Sequence, residues 1–223
     1  MLLNNQLTIK HKIKKSKNKK NPPLFLMIHG YGSNENDLFS LKKDLPEDFF
    51  LISIQGFYSI GMNKYSWYDI DFDNKKQFIN IAQAKNTIQK ISFFIDEAIK
   101  KYKLNKNQVW VCGFSQGAIL SYAIAFKKPD KIKNIIVLSG YLEKNLITTK
   151  EMKNIVDTKL KIFISHGKYD TIIPIQLAKK SFNFLKNYKN IHFFYKEYES
   201  GHNLNNYNYQ DLINWIKKNI KTF

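Results

Sequence analysis

Short, continuously apolar runs alternate with longer segments of helical periodicity, and few architectures accept that order. Leu24–Ile28, Phe49–Ile54, Val109–Cys112, Ile135–Leu138, Leu160–Ser165 and Ile191–Tyr198 are rich in β-branched and aromatic residues. Most are apolar throughout, as strands buried on both faces must be. Between them, Phe78–Tyr102 places Ile81, Ala84, Ile88, Ile91, Phe94, Ile95, Ala98 and Ile99 at helical spacing with lysines on the other face. Ser115–Phe126, Ile175–Leu185 and Tyr209–Ile220 also read as helices. Strands alternating with helices predict an α/β fold, a mostly parallel central sheet with helices on both faces. At 223 residues and 43% hydrophobic the chain can bury one sizeable core. The expectation is one domain over 1–223, with a lysine-rich strand and turn over 1–23, the catalytic core over 24–223 and no large cap domain. The segment Gln55–Asn74 is predicted to be irregular, long enough to cover a site.

The sharpest local signal is Gly113-Phe114-Ser115-Gln116-Gly117, directly after the run Val109–Cys112 and opening the next helix. A Gly-x-Ser-x-Gly pentapeptide on a strand-to-helix turn lifts the serine hydroxyl clear of the sheet. The positive end of the helix beneath it favours negative charge on a substrate oxygen. An ordinary glycine-rich turn is the bland alternative. A serine hydroxyl attacks only when a base takes its proton, and the base needs an orienting acid. His202, in Ser200-Gly201-His202-Asn203, lies just past the last predicted strand, and Asp170, in His166-Gly167-Lys168-Tyr169-Asp170, just past the preceding one. The order Ser115, Asp170, His202 is that of α/β-hydrolases. All three would stand at carboxyl ends of strands, where open α/β sheets build their sites.

Other histidines and aspartates compete. His11 falls in a lysine run and His192 inside a strand, while His29 and His166 each precede a glycine at a strand end, where they read as shaping tight turns. Asp130 and Asp157 lie in more polar surroundings, as helix ends or solvated turns. For the oxyanion, one donor is the Gln116 amide by elbow geometry. The second is expected from the loop His29-Gly30-Tyr31-Gly32-Ser33, with the Tyr31 amide as candidate.

Taken together, HGYGSNENDL, SWYDIDF, GFSQGAILSY, LSGYL, HGKYDTIIP and SGHNL resemble the phospholipase/carboxylesterase family of the α/β-hydrolase superfamily, which includes acyl-protein thioesterases. The resemblance runs from about residue 24 to the end. It implies a cofactor-free hydrolase of carboxylic esters or thioesters, with Ser115, Asp170 and His202 as triad and the amides of Tyr31 and Gln116 as oxyanion hole. It also implies that Trp67 and Tyr68 lie beside the acyl site and bind substrate, the alternative being that they plug the core. Tyr31 stands where the eukaryotic thioesterases look to have leucine, and the first 20 residues carry no family motif.

Composition bounds the partners. The single cysteine, Cys112, rules out an internal disulfide and any multi-cysteine metal site. A formal charge of +18 invites nucleic acid or anionic lipid, yet all 36 basic residues are lysine. Base readout and bidentate phosphate clamps favour arginine, so no specific nucleic-acid partner is expected. A lysophospholipase drawn weakly to anionic membrane surfaces is the alternative enzyme, and a basic binding protein on a hydrolase scaffold the alternative outside enzymes. The run Lys10–Lys20 reads as a strand followed by a solvated turn. No apolar stretch reaches the roughly 20 residues of a membrane span, and the opening residues carry charges where a signal peptide needs its apolar region, which predicts the cytoplasm.

Overall fold

The computed structural model describes residues 7–18, 20–71, 79–155 and 158–220. Seven strands form one sheet: β1 (His11–Lys14), β2 (Leu24–Ile28), β3 (Phe50–Ile54), β6 (Val109–Phe114), β7 (Ile132–Leu138), β8 (Leu160–Gly167) and β9 (Ile191–Tyr198), with β4 (Tyr58–Gly61) and β5 (Lys64–Ser66) as a separate hairpin. The order across the sheet is β1-β3-β2-β6-β7-β8-β9. Among the described residues of this sheet, the edge pair β1–β3 is antiparallel and the other pairs are parallel. This is the α/β-hydrolase fold, and the described residues form the α-helices α1 (Ile81–Tyr102), α2 (Gln116–Lys127), α3 (Thr149–Asn154), α4 (Ile175–Leu185) and α5 (Asn206–Ile220).

The apolar runs are continuous because both faces of the sheet are covered. Leu24, Leu26 and Ile28 of β2 and Val109 and Val111 of β6 join the core under α1 and α2. Their neighbours Phe25, Met27, Trp110 and Cys112 join the opposite core, under α5 and the 3-10 turn Leu38–Lys43. Period-two alternation thus splits each strand between two cores. α1 follows its predicted pattern, with Ala84, Ile88, Ile91, Ile95 and Ala98 buried. It opens on Asn80, whose side chain accepts the Gln83 N–H, and the predicted first residue, Phe78, lies outside the described residues.

Strand positions agree with the sequence reading, and β1 bears out the strand within the lysine run. Two expectations need correction. The segment Gln55–Asn74 is not irregular throughout, because Tyr58–Gly61 and Lys64–Ser66 pair as a hairpin across a turn in which Asn63 takes a left-handed φ of 54°. Residues 72–74 lie outside the described residues. Short, half-exposed strands bury little apolar surface and so carry little periodicity to read. The second is α3, unforeseen because none of its residues is buried, and held by a capping box between Thr148 and Glu151.

The chain order also places the site. After β2 the chain steps outward to β3, then crosses back to β6 on the other side of β2. The carboxyl ends of β2 and β6 therefore flank a topological switch point, where α/β sheets open a crevice.

Candidate active site

Ser115 joins β6 to α2 with φ 53° and ψ −116°, a conformation sparsely populated by L residues and the mark of a nucleophile elbow. Glycines at both ends make the turn achievable. A Cβ on Gly117 would lie 2.0 Å from the Ile28 carbonyl oxygen, and one on Gly113 2.1 Å from the Gly117 carbonyl oxygen. We expect Gly117→Ala to destabilise the fold by ~3 kcal/mol or more, because backbone rather than a flexible side chain must yield. A urea titration of the purified variant checks this; an unchanged midpoint would show that the β2–α2 backbone contact yields at little cost.

The Ser115 hydroxyl is 3.0 Å from His202 Nε2, and His202 Nδ1 is 2.6 Å from Asp170 Oδ2. A carboxylate accepts only, so Nδ1 carries the proton and Nε2 is left as the acceptor facing the serine. His202 stands in the turn after β9 and Asp170 in the loop after β8. The two loops meet backbone to backbone, Tyr169 N–H donating to Ser200 O at 3.0 Å and Lys168 N–H to Tyr198 O at 2.8 Å. The Phe114 ring packs on the imidazole of His202 at 5.0 Å between centroids.

Asp170 is held ionised. Burial by itself raises its carboxyl, but hydrogen bonds from His166, His202 and the Ile173 N–H outweigh that and carry it far below the usual carboxylate range. Oδ1 takes the N–H groups of Ile172 and Ile173 at 2.9 and 2.8 Å, leaving Oδ2 to the imidazoles. His166, read from sequence as a turn former, has its Nε2 3.3 Å from Asp170 Oδ2 and 2.7 Å from the Ile173 carbonyl. Four residues separate His166 from Asp170, but off a helix that spacing does not by itself bring two side chains together, so the sequence carried no signal for this contact.

The loop after β2 reaches the serine: a Cβ on Gly30 would lie 3.3 Å from Ser115 Cβ. Tyr31 follows on the surface, 39% exposed. Gln116 is the first residue of α2 and so has no carbonyl four residues back within the helix to receive its N–H. The Gln116 side chain instead bridges Trp67 and Tyr68, its Oε1 accepting the Trp67 N–H at 3.0 Å and its Nε2–H donating to the Tyr68 carbonyl at 2.7 Å. Trp67 and Tyr68 have no exposed surface. The burial therefore favours the core-plugging alternative over contact with an acyl chain, because a side chain without accessible surface offers a ligand nothing to touch.

The competing residues separate by position. Asp130 is exposed in the turn before β7, at the amino end of that strand, and Asp157 lies outside the described residues. His192 is exposed on β9, and His11 is on the edge strand β1. Cys112 is buried inside β6, where burial pushes its thiol up and keeps it protonated and unreactive. Among the described residues, no group of three or more His, Cys, Asp or Glu side chains could hold a metal ion, and no helix is long and apolar enough to cross a membrane.

The family model described as Phospholipase/Carboxylesterase matches residues 10–220. The putative hydrolase MhqD of Bacillus subtilis is 26% identical over 88% of this chain and 94% of its own length. Acyl-protein thioesterase 1 of Saccharomyces cerevisiae is 30% identical over 70% of each chain. The solved structure of the Bacillus cereus carboxylesterase superposes with a TM-score of 0.76 at 21% identity, covering 95% of this chain and 94% of the other.

Proposed function

The chain belongs to the phospholipase/carboxylesterase family, whose members hydrolyse esters and thioesters, and we propose that it does so by forming an acyl-enzyme on Ser115. The observation that carries this reading is the hydrogen-bonded chain from Ser115 through His202 to Asp170 on a strained elbow at the carboxyl end of the sheet. Ser115 Oγ attacks the acyl carbonyl while His202 Nε2 takes its proton. Asp170 holds the imidazole in the required tautomer and stabilises the imidazolium that forms. The carbonyl oxygen, now an oxyanion, is received by the amides of Gln116 and Tyr31 at the positive end of α2. The tetrahedral intermediate collapses, His202 protonates the leaving alkoxide or thiolate, and water, deprotonated by the same imidazole, releases the acid.

This reading treats the chain as one catalytic domain, since α1, α2, α4 and α5 share their buried side chains with the one sheet and α3 packs against α2. The experiment is hydrolysis of p-nitrophenyl esters and acyl thioesters of increasing chain length, with and without vesicles of anionic lipid. We expect steady turnover without need of vesicles, with a burst of leaving group approaching the enzyme concentration on those esters whose acylation outpaces deacylation. Turnover that appears only on vesicles would make the chain a surface-acting lysophospholipase. Binding to nucleic acid without hydrolysis of any member of the panel would make it a binding protein on a hydrolase scaffold.

A further inference from the structure

Trp67 has no exposed surface and bonds to Gln116 and to His29, two residues before Tyr31. Its indole Nε1–H donates to the His29 carbonyl at 2.8 Å, and its rings pack on the His29 imidazole at 4.9 Å between centroids. Its backbone N–H donates to Gln116 Oε1 at 3.0 Å, and Gln116 Nε2–H donates onward to the Tyr68 carbonyl at 2.7 Å. The Trp67 carbonyl accepts the Thr87 hydroxyl at 2.6 Å, which ties the segment to α1. Trp67, His29, Gln116 and Thr87 are all buried.

We propose that Trp67 is a positioning residue that fixes the two halves of the oxyanion hole relative to each other. The two donors come from separate segments, Tyr31 after β2 and Gln116 at the head of α2; Gly117 packs on the main chain at Ile28 and His29, which brings the segments together, and the orientation of each donor peptide is left to the contacts of Trp67, His29 and the Gln116 side chain. On the first side, the Trp67 indole holds the His29–Gly30 peptide by its carbonyl. The next peptide, Gly30–Tyr31, is held by His29, whose Nδ1–H donates to the Gly30 carbonyl at 2.7 Å while its Nε2 accepts the Gly56 N–H at 2.9 Å. A trans peptide points its carbonyl and its N–H in opposite directions, so holding the Gly30 carbonyl aims the Tyr31 N–H. Burial lowers the His29 imidazole from its ordinary value and keeps it neutral, which this one-donor, one-acceptor arrangement requires. On the second side, the Gln116 side chain is clipped to the main chain of residues 67 and 68, so the first turn of α2 cannot rotate without breaking both bonds. A displacement of about 1 Å in catalytic geometry costs on the order of 10²-fold in rate, which sets the scale of what the brace protects.

The proposal rests on the oxyanion assignment above, so rates are normalised to sites titrated with a fluorophosphonate. Trp67→Phe keeps a ring and removes the N–H; Gln116→Met keeps the shape and the backbone amide and removes both side-chain bonds. Each should lower kcat per titrated site by about 10- to 10²-fold with KM nearly unchanged. Affinity for a trifluoromethyl ketone, whose serine adduct carries the oxyanion, should fall by the same factor as kcat/KM. The double variant should lose less than the product of the two losses, since both act on one brace. If Trp67→Phe does not accumulate folded, 3-benzothienylalanine at position 67, with sulfur in place of N–H, decides the point. An unchanged kcat per titrated site in that protein or in Trp67→Phe overturns the proposal, as does a loss confined to the number of titratable sites. A wild-type protein that no fluorophosphonate labels would instead overturn the hydrolase mechanism itself.

Discussion

Ser115→Ala should reduce ester turnover by on the order of 10⁴- to 10⁶-fold and abolish fluorophosphonate labelling, while the protein stays folded. Removing the nucleophile from a triad closes the acyl-enzyme route; what survives is binding and oxyanion stabilisation, the residual activity of a triad enzyme without its serine. Folding should survive because Ser115 makes no side-chain cap for α2, and alanine must adopt the same left-handed φ of 53° that the serine already adopts. Intact-mass measurement after exposure to the probe reads the outcome directly. An adduct persisting on Ser115→Ala would place the reactive hydroxyl elsewhere, and turnover within tenfold of wild type would remove Ser115 from the mechanism.

Asp170→Asn should lower kcat by on the order of 10⁴-fold, through the histidine rather than through substrate binding. An amide in place of the carboxylate can donate to Nδ1, and the imidazole then carries its proton on the nitrogen that faces Ser115, where it can no longer act as base. On the proposed mechanism the three residues act as one unit, so adding Asp170→Asn to Ser115→Ala should cost almost nothing further. The same substitution should change acid stability. The Asp170 carboxyl is depressed in the folded chain, so the ionised group contributes stability that is present above the ordinary carboxylate range and drains away as pH falls through the lower folded value. The wild type should therefore lose stability steadily below about pH 5, and Asp170→Asn should start less stable and fall less steeply over that window. Urea midpoints measured across the acid range, beside kcat, test both halves. Equal acid slopes would mean that the hydrogen bonds to Asp170 persist in the unfolded chain or do not form in the folded one. A near-normal kcat for Asp170→Asn, with a collapse for Asp157→Asn, would move the orienting role to the other aspartate.

The sequence by itself determined the elements that are long, apolar and strictly periodic. Leu24–Ile28, buried on both faces, and Ile191–Tyr198, a partly exposed edge strand rich in aromatic and β-branched residues, coincide end to end with observed strands, and α1 follows its amphipathic stripe, which leaves a repeat that can be counted. It also determined which residues to suspect, since a Gly-x-Ser-x-Gly turn followed in order by an acid and a histidine at strand ends restricts the choice to Ser115, Asp170 and His202. Only the tertiary structure decided what surrounds them. The contact of His166 with Asp170 and the burial of Trp67 and Tyr68 depend on side-chain direction. The hydrogen bonds joining Trp67 to His29 and to Gln116 cross between segments far apart in the chain. No pattern along one segment encodes such contacts, because the partners meet only after the sheet has brought the ends of β2 and β6 together.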